Sequence, residues 1–185
     1  MKISQTERLQ LRELTADDAT FVMELVNEPA WLRFIGDRDV HSLESARDYI
    51  AKGPVASYGR NGFGLWAVEL AATGEPIGMC GLVRRPTLEH VDLGFAFLSR
   101  HWGHGYARES AAAVVALARE FFGLPKLVAI TDLDNQPSQK VLTSLGFRYD
   151  KLIHWSETNE QLMLYVHDLA AAAPSAAERP EGGLA

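Results

Sequence analysis

The segment Trp102-Gly103-His104-Gly105-Tyr106-Ala107 has the composition of a loop that binds phosphate through its backbone. It lies between a predicted strand and a long predicted helix. Glycines let the backbone approach a ligand closely, and the unpaired amides at a helix start point outward toward an anion. We interpret this segment as a candidate phosphate-binding loop. The alternative is that its glycines serve only a tight strand-to-helix turn.

Two common phosphate-binding motifs do not fit this segment. A P-loop requires a Lys-Ser or Lys-Thr pair, which Tyr106-Ala107 does not supply. A Rossmann fingerprint would place its third small residue at Arg108 and would open a βαβ unit. The loop instead follows a predicted hairpin near the middle of the chain. A dinucleotide-dependent oxidoreductase is therefore a weaker alternative for this sequence.

The elements that must position the loop follow from the spacing of apolar residues. Alternating or β-rich segments predict seven strands, at residues 8–12, 63–70, 76–83, 91–98, 126–131, 147–155 and 161–166. Helical spacing and capping residues predict four helices, at residues 15–26, 42–52, 105–122 and 137–145. Pro29 is expected to close the first helical region, and Gly53-Pro54 is expected to end the second helix. This order predicts a mixed α/β fold.

Length and composition indicate one globular domain. The chain has 185 residues, 47% of them hydrophobic and 23% charged, so a single core at residues 1–169 is expected. Residues 170–185 have no apolar periodicity and are predicted to be a disordered tail. The net charge of −6 disfavours nucleic acid as a partner. The uncharged stretch 110–118 is too short to cross a membrane, and residues 1–5 lack a signal-peptide core, so we expect a cytoplasmic protein.

Three residues of types that often serve as nucleophiles or metal ligands are not predicted to do so here. Cys80 lies in the middle of a predicted strand, where a buried inert thiol is expected rather than a nucleophile. His101 and His104 have no third ligand at a plausible spacing, so no metal site is predicted.

The glycine-rich segment resembles the cofactor motif of the GNAT superfamily of acyl-CoA-dependent N-acetyltransferases, Gln/Arg-x-x-Gly-x-Gly/Ala at a strand-to-helix junction. Residues 100–105 match the pattern literally, and residues 102–107 match it with Trp102 in the first position. We favour the second frame because it puts Ala107 on the apolar stripe of the helix. Asn135-Gln136-Pro137-Ser138, followed by Leu145-Gly146-Phe147, is similar to the family's second signature. The likeness is greatest to the branch that includes ribosomal-protein N-terminal-alanine acetyltransferases.

This resemblance implies a mostly antiparallel sheet of about seven strands, flanked by helices and splayed where acetyl-CoA, the acyl donor, binds. It implies that Asn135 meets the pantetheine arm and that Ser138 lies near the thioester sulfur. The tyrosine that often acts as general acid would fall at Leu142, so Ser138 is the candidate to assist the leaving thiol. The expected donor-binding residues are Phe97, Leu98, Trp102, Gly103, His104, Gly105, Tyr106, Ala107, Asn135 and Ser138.

The acceptor expected from the resemblance is a primary amine. Asp92 occupies the place of the family's general base, and its short side chain favours a relay through water. At neutral pH, deprotonating an α-amine of pKa ~8 costs about 1.4 kcal/mol, whereas a lysine amine near ~10.4 costs about 4.6 kcal/mol. A small amine or a peptide or protein N-terminus is therefore the expected substrate. Trp31 and Phe34 are candidate substrate-binding residues, a noncatalytic acyl-CoA sensor is the alternative function, and related folds often form homodimers.

Overall fold

The structure, a computed structural model, describes residues 1–155 and 159–170, and its strands form one sheet. The strands are β1 (Lys2–Gln5), β2 (Leu9–Arg12), β3 (Leu65–Leu70), β4 (Pro76–Val83), β5 (Val91–Phe97), β6 (Lys126–Asp132), β7 (Arg148–Trp155) and β8 (Glu160–Asp168). The helices are α1 (Ala19–Val26), α2 (Pro29–Phe34), α3 (Leu43–Ile50), α4 (Ala56–Asn61), α5 (Tyr106–Glu120) and α6 (Gln136–Ser144). The strand order across the sheet is β1-β2-β3-β4-β5-β6-β8-β7.

The pairing of β5 with β6 differs from that of the other neighbouring strands described. These two strands are parallel, with α5 in the connection between them, whereas the other described pairs are antiparallel. They pair only through Val91 with Leu127 and Asp92 with Val128. Beyond that point β5 continues to Phe97 and β6 continues to Asp132 without pairing with each other. The sheet therefore splays open along most of the length of both strands.

The two faces of the sheet carry separate cores, because successive strand residues point to opposite faces. In β3, Trp66 and Val68 face the core that contains Val114 and Ala118 of α5. Ala67, between them, faces the second core, which includes residues of α1 and α3. Helices thus cover both faces and hold the splayed strands from either side.

The predicted fold class is confirmed, with local differences. The sheet has eight strands rather than about seven, because β1 adds an edge strand whose sequence, Lys-Ile-Ser-Gln, has only one apolar residue. Pro29 does not close the first helical region but begins α2, since proline fits the first turn of a helix, where its missing N–H is not needed.

The predicted break at Gly53-Pro54 is wrong. Residues Ala51–Val55 form a wider π-helical turn that leads from α3 directly into α4. In a π turn the hydrogen bonds skip one more residue than in an α-helix, so the chain passes Pro54 without ending the helical path.

The proposed domain boundary at residue 169 stays a prediction, and the predicted tail lies outside the described residues from 171 onward. Across residues 1–155 and 159–170, every helix is too short or too polar to cross a membrane.

Gly81 and Gly94 face each other across β4 and β5 and offer a matched test of backbone packing. A Cβ on Gly81 would lie 2.1 Å from the carbonyl oxygen of Gly64, whose bond to the amide of Leu82 holds it there. A Cβ on Gly94 would meet only side-chain atoms, the nearest at 3.4 Å. We therefore expect Gly81→Ala to lower the free energy of unfolding by about 1–3 kcal/mol and Gly94→Ala to change it by less than about 1 kcal/mol. Urea unfolding measures both, and equal effects would contradict this account.

Candidate active site

The predicted phosphate-binding loop has a backbone conformation that favours glycine. Gly103 has a φ of +79° and Gly105 a φ of +80°, values that residues with a Cβ rarely adopt. Gly105 directly precedes α5, a helix of 15 residues. The first amides of such a helix have no partner within it, and the helix dipole is positive at that end. The loop is therefore built to face an anion.

The turn between β1 and β2 holds this loop from the N-terminal side of the chain. The guanidinium of Arg8 donates from Nη1 to the carbonyl oxygen of His104 at 3.0 Å and from Nε to Glu109 Oε2 at 2.7 Å. Thr6 Oγ1 donates to Glu109 Oε1 at 2.5 Å. Partial burial opposes ionisation of Glu109, but the hydrogen bonds from Thr6 and Arg8 lower its pKa. Glu109 lies in the first turn of α5, so this network fixes the loop relative to the helix.

A cavity of about 400 Å³, which we call the loop cavity, opens beside Gly103 and Gly105. Trp102 is 51% exposed at its edge, and its indole Nε1 donates to the carbonyl oxygen of Phe97 at 2.8 Å. Ten of the predicted site residues line this cavity, namely Trp31, Phe34, Phe97, Trp102, Gly103, Gly105, Tyr106, Ala107, Asn135 and Ser138.

Two predicted donor-binding residues lie elsewhere. Leu98 is fully buried in the core against α1, and its amide donates to the carbonyl oxygen of Ile77 at 3.0 Å. The strand ends one residue earlier than predicted, which turns Leu98 into the sheet's core rather than toward the cavity. His104 is exposed, and its ring stacks on Tyr106 with the ring centres 5.4 Å apart.

A second cavity of about 410 Å³ lies on the other side of the junction, and we call it the aspartate cavity because Asp92 lines its inner wall. It opens where β5 and β6 diverge. The two cavities share the residues Trp31, Phe34, Ile35, Phe95, Ala96, Asn135 and Ser138. A ligand in the loop cavity and a ligand in the aspartate cavity can therefore meet beside Ser138.

Asp92 is buried and paired with a cation. Its Oδ2 accepts a hydrogen bond from Arg85 Nε at 2.6 Å, and its Oδ1 is buried without a hydrogen-bond partner in the described part of the chain. Burial raises the pKa of Asp92, and the positive charge of Arg85 opposes this rise. Only 2% of the Asp92 side chain is exposed, so little of its surface is open to an amine in the cavity. The predicted relay through water is therefore the expected route for a proton.

The start of α6 brings Ser138 to the junction. Asn135 caps this helix, its Oδ1 accepting from the amide of Ser138 at 3.3 Å. Leu142, one turn further along, is buried and lines the aspartate cavity. The apolar side chain of Leu142 stands where the family's tyrosine was expected, so Ser138 supplies the hydroxyl that α6 brings to both cavities.

Cys80 is fully buried, and burial raises its pKa to about 12, which agrees with the predicted inert thiol.

The prediction that no metal is bound stays a prediction. Asp37, Asp39 and His41 bring potential ligand atoms together on the exposed surface, but clusters of this kind are common without an ion.

Sequence reasoning missed the residues that position the predicted ones. Arg85 could have been found from the hairpin register, because Val83 pairs with Asp92 and a residue two positions further along the chain returns to the same face. The contact between Arg8 and Glu109 joins residues 101 positions apart and has no local signature.

Comparison with known proteins gives a consistent result. The family described as an acetyltransferase (GNAT) domain matches residues 8–148. The uncharacterized N-acetyltransferase YoaA of Bacillus subtilis (strain 168) is 26% identical over 152 residues, which cover 82% of this chain and 85% of YoaA. The crystal structure of the acetyltransferase from Agrobacterium tumefaciens str. C58 is 28% identical, covers 90% of this chain and 94% of its own, and superposes with a TM-score of 0.76.

A ribosomal-protein-S5-alanine acetyltransferase from Vibrio fischeri has the same fold, with a TM-score of 0.76, 17% identity and coverage of 94% of this chain and 100% of its own. The family match and the fold define an acyltransferase of the type that the sequence resembles. The chain belongs to the GNAT family and is an acetyl-CoA-dependent N-acetyltransferase.

The loop assignment predicts the effect of a negative charge at Gly105. Two like charges about 4 Å apart near a protein surface repel by about 4 kcal/mol, and Glu at this position would also be strained by the positive φ. We expect Gly105→Glu to weaken acetyl-CoA binding, measured by calorimetry, by at least about 100-fold.

Gly123→Glu is the matched control, because Gly123 also has a positive φ but lies beyond the other end of α5, where a Cβ would meet open space rather than the Arg8 side chain that lies 3.5 Å from a Cβ on Gly105. The affinity of the Gly123→Glu variant for acetyl-CoA should stay within about threefold of that of the parent protein, because surface changes away from a site cost about 0.5 kcal/mol. Unchanged affinity in Gly105→Glu would refute the assignment of the loop.

Proposed function

We propose that this enzyme transfers the acetyl group of acetyl-CoA directly to a primary amine, either a small amine or a peptide or protein N-terminus. The observation that carries the proposal is the meeting of two cavities beside Ser138, one at the glycine loop and one against Asp92. A direct transfer needs both reactants at one point, and this junction supplies it.

The donor would occupy the loop cavity. Its diphosphate would accept hydrogen bonds from the amides at the start of α5, beside Gly103 and Gly105. Its pantetheine arm would run between β5 and β6, where backbone groups left unpaired by the splay can bond its amides. The same free backbone donors can polarise the thioester carbonyl.

The acceptor amine would enter through the aspartate cavity as an ammonium ion. It would lose one proton through water to Asp92, and its nitrogen would then attack the thioester carbonyl carbon. Collapse of the tetrahedral intermediate breaks the carbon–sulfur bond, and loss of the second nitrogen proton to water gives the neutral amide. The coenzyme A sulfur would leave as a thiolate that accepts a hydrogen bond from Ser138, because a thiol of pKa near ~8.5 does not require full protonation to depart.

The buried carboxylate favours acceptors with a weakly basic amine. An α-amine of pKa ~8 needs about 1.4 kcal/mol to lose its proton at neutral pH, about 3 kcal/mol less than a lysine amine. Burial raises the pKa of Asp92 toward that of the amine, which makes it a better proton acceptor than an exposed aspartate would be. Charge balance is kept by Arg85, which remains paired with Oδ2.

The direct test is the release of coenzyme A thiol from acetyl-CoA across a panel of small amines and peptides. We expect at least one α-amine acceptor to accelerate thiol release over the rate without acceptor and to yield the N-acetylated product by mass spectrometry. Binding of acetyl-CoA without acceleration by any amine would instead support a noncatalytic acyl-CoA sensor.

Replacing the proposed base tests its role through the pH profile. Asp92 must be ionised to accept a proton, so its activity contribution rises as pH increases through its raised pKa. We expect Asp92→Asn to lower kcat about 100-fold and to remove the acidic limb that Asp92 contributes to the pH profile, leaving only the titration of the amine.

Asp150→Asn, an exposed position on β7, is the control and should keep the parent profile. Asn has nearly the same shape as Asp, so we expect Asp92→Asn to fold. Its melting temperature, compared with that of the parent protein, checks this. If the folded Asp92→Asn enzyme has an unchanged kcat and pH profile, Asp92 is only a structural partner of Arg85 and not the base.

A further inference from the structure

The aspartate cavity has a cationic end that proton transfer does not require. Arg38, in the segment after α2, and Arg85, before β5, both line this cavity, together with Tyr49 of α3. Burial raises the pKa of the Tyr49 hydroxyl, and the positive charges of Arg38 and Arg85 oppose that rise. We call these three residues the cationic end.

Arg85 is held in place there. Its guanidinium carbon lies 5.4 Å from the centre of the Trp155 ring, and its Nε bonds Asp92. A guanidinium has five N–H donors, so the bond from Nε leaves four for other partners. With one carboxylate and two guanidiniums, Asp92, Arg85 and Arg38 carry a net positive charge. A fixed, partly buried arginine with unused donors is a common recognition group for carboxylates.

Three acidic residues besides Asp92 line the cavity. Asp132 is the last residue of β6, four positions beyond Val128, which pairs with Asp92. Glu160 begins β8 and lies further in the same direction, because Leu162 pairs with Asp132. Asp37 also lines the cavity, and its carboxylate lies 3.6 Å from the imidazole of His41. Arg33 also lines the cavity, but its guanidinium lies 3.7 Å from the carboxylate of Asp134, whereas Arg38 has no ion pair in the described part of the chain.

We infer that the acceptor is a primary amine that also carries a carboxylate, with the amine beside Ser138 and the carboxylate on Arg38, Tyr49 and Arg85. This inference rests on the proposed function and specifies its substrate class. The separation of the two ends sets the spacing of the two groups. Phe95, at the junction, lies three positions along β5 from Asp92, a rise of about 10 Å. An acceptor whose carboxylate is several bonds from its amine therefore fits better than glycine.

A series of ω-amino acids from glycine to 6-aminohexanoate, each compared with its primary amide, tests the inference. The amide keeps the length and removes the charge. We expect the ratio of kcat/KM for acid over amide to increase along the series and to reach about tenfold or more in the longer members, the range of a charge-assisted hydrogen bond. The peptide pair Glu-Ala-Ala-amide and Gln-Ala-Ala-amide distinguishes the source. If only the peptide pair shows a preference for the acid over the amide, the cationic end binds the side chain of an acidic N-terminal residue.

The variant Arg38→Gln should reduce the acid-over-amide ratio at least about tenfold, whereas Arg60→Gln, an exposed position on α4, should leave it unchanged. A loss that came only from damaged folding would lower both rates and keep the ratio. Equal rates for acids and amides in all pairs would overturn the inference and leave the transferase reaction standing. Absence of thiol release with every acceptor would overturn both.

Discussion

The functional architecture depends on one constraint, the short pairing between β5 and β6. Two residue pairs join these strands, and their remaining backbone groups on that edge have no partner strand. Buried backbone N–H and C=O groups require partners, so the splay is stable only as a place where solvent or a ligand completes the sheet. The antiparallel pairs of β5 with β4 and of β6 with β8 hold the two strands apart on either side.

The glycine loop and the buried aspartate lie at opposite ends of this opening because of the same topology. β5 begins with Val91 and Asp92, the two residues that pair with β6. It ends at Phe97, just before the loop that starts α5. α6, which follows β6, places Ser138 over the gap between them. Arg8 and Glu109 then fix the loop from a distant part of the chain, and Arg85 does the same for Asp92. Each group with a proposed chemical role is thus paired with one that positions it.

Local patterns predicted much of this arrangement. Alternation in β3 to β5 and the long apolar stripe of α5 are strong signals, and the glycines of the loop reflect a backbone conformation that can be read directly from residue type. The π turn through Pro54 was missed because helix-breaking residues have the same sequence signature whether the helical path ends or widens. The cationic end and the contact of Arg8 with Glu109 arise from tertiary packing between distant segments, for which a single sequence carries no periodic signal.

A crystal structure with coenzyme A bound tests the central claim most directly. The account predicts the diphosphate on the backbone amides beside Gly103 and Gly105, the pantetheine arm hydrogen-bonded between β5 and β6, and the sulfur next to Ser138. Coenzyme A bound at another surface, or a gap between the strands closed by protein side chains in the complex, would contradict it.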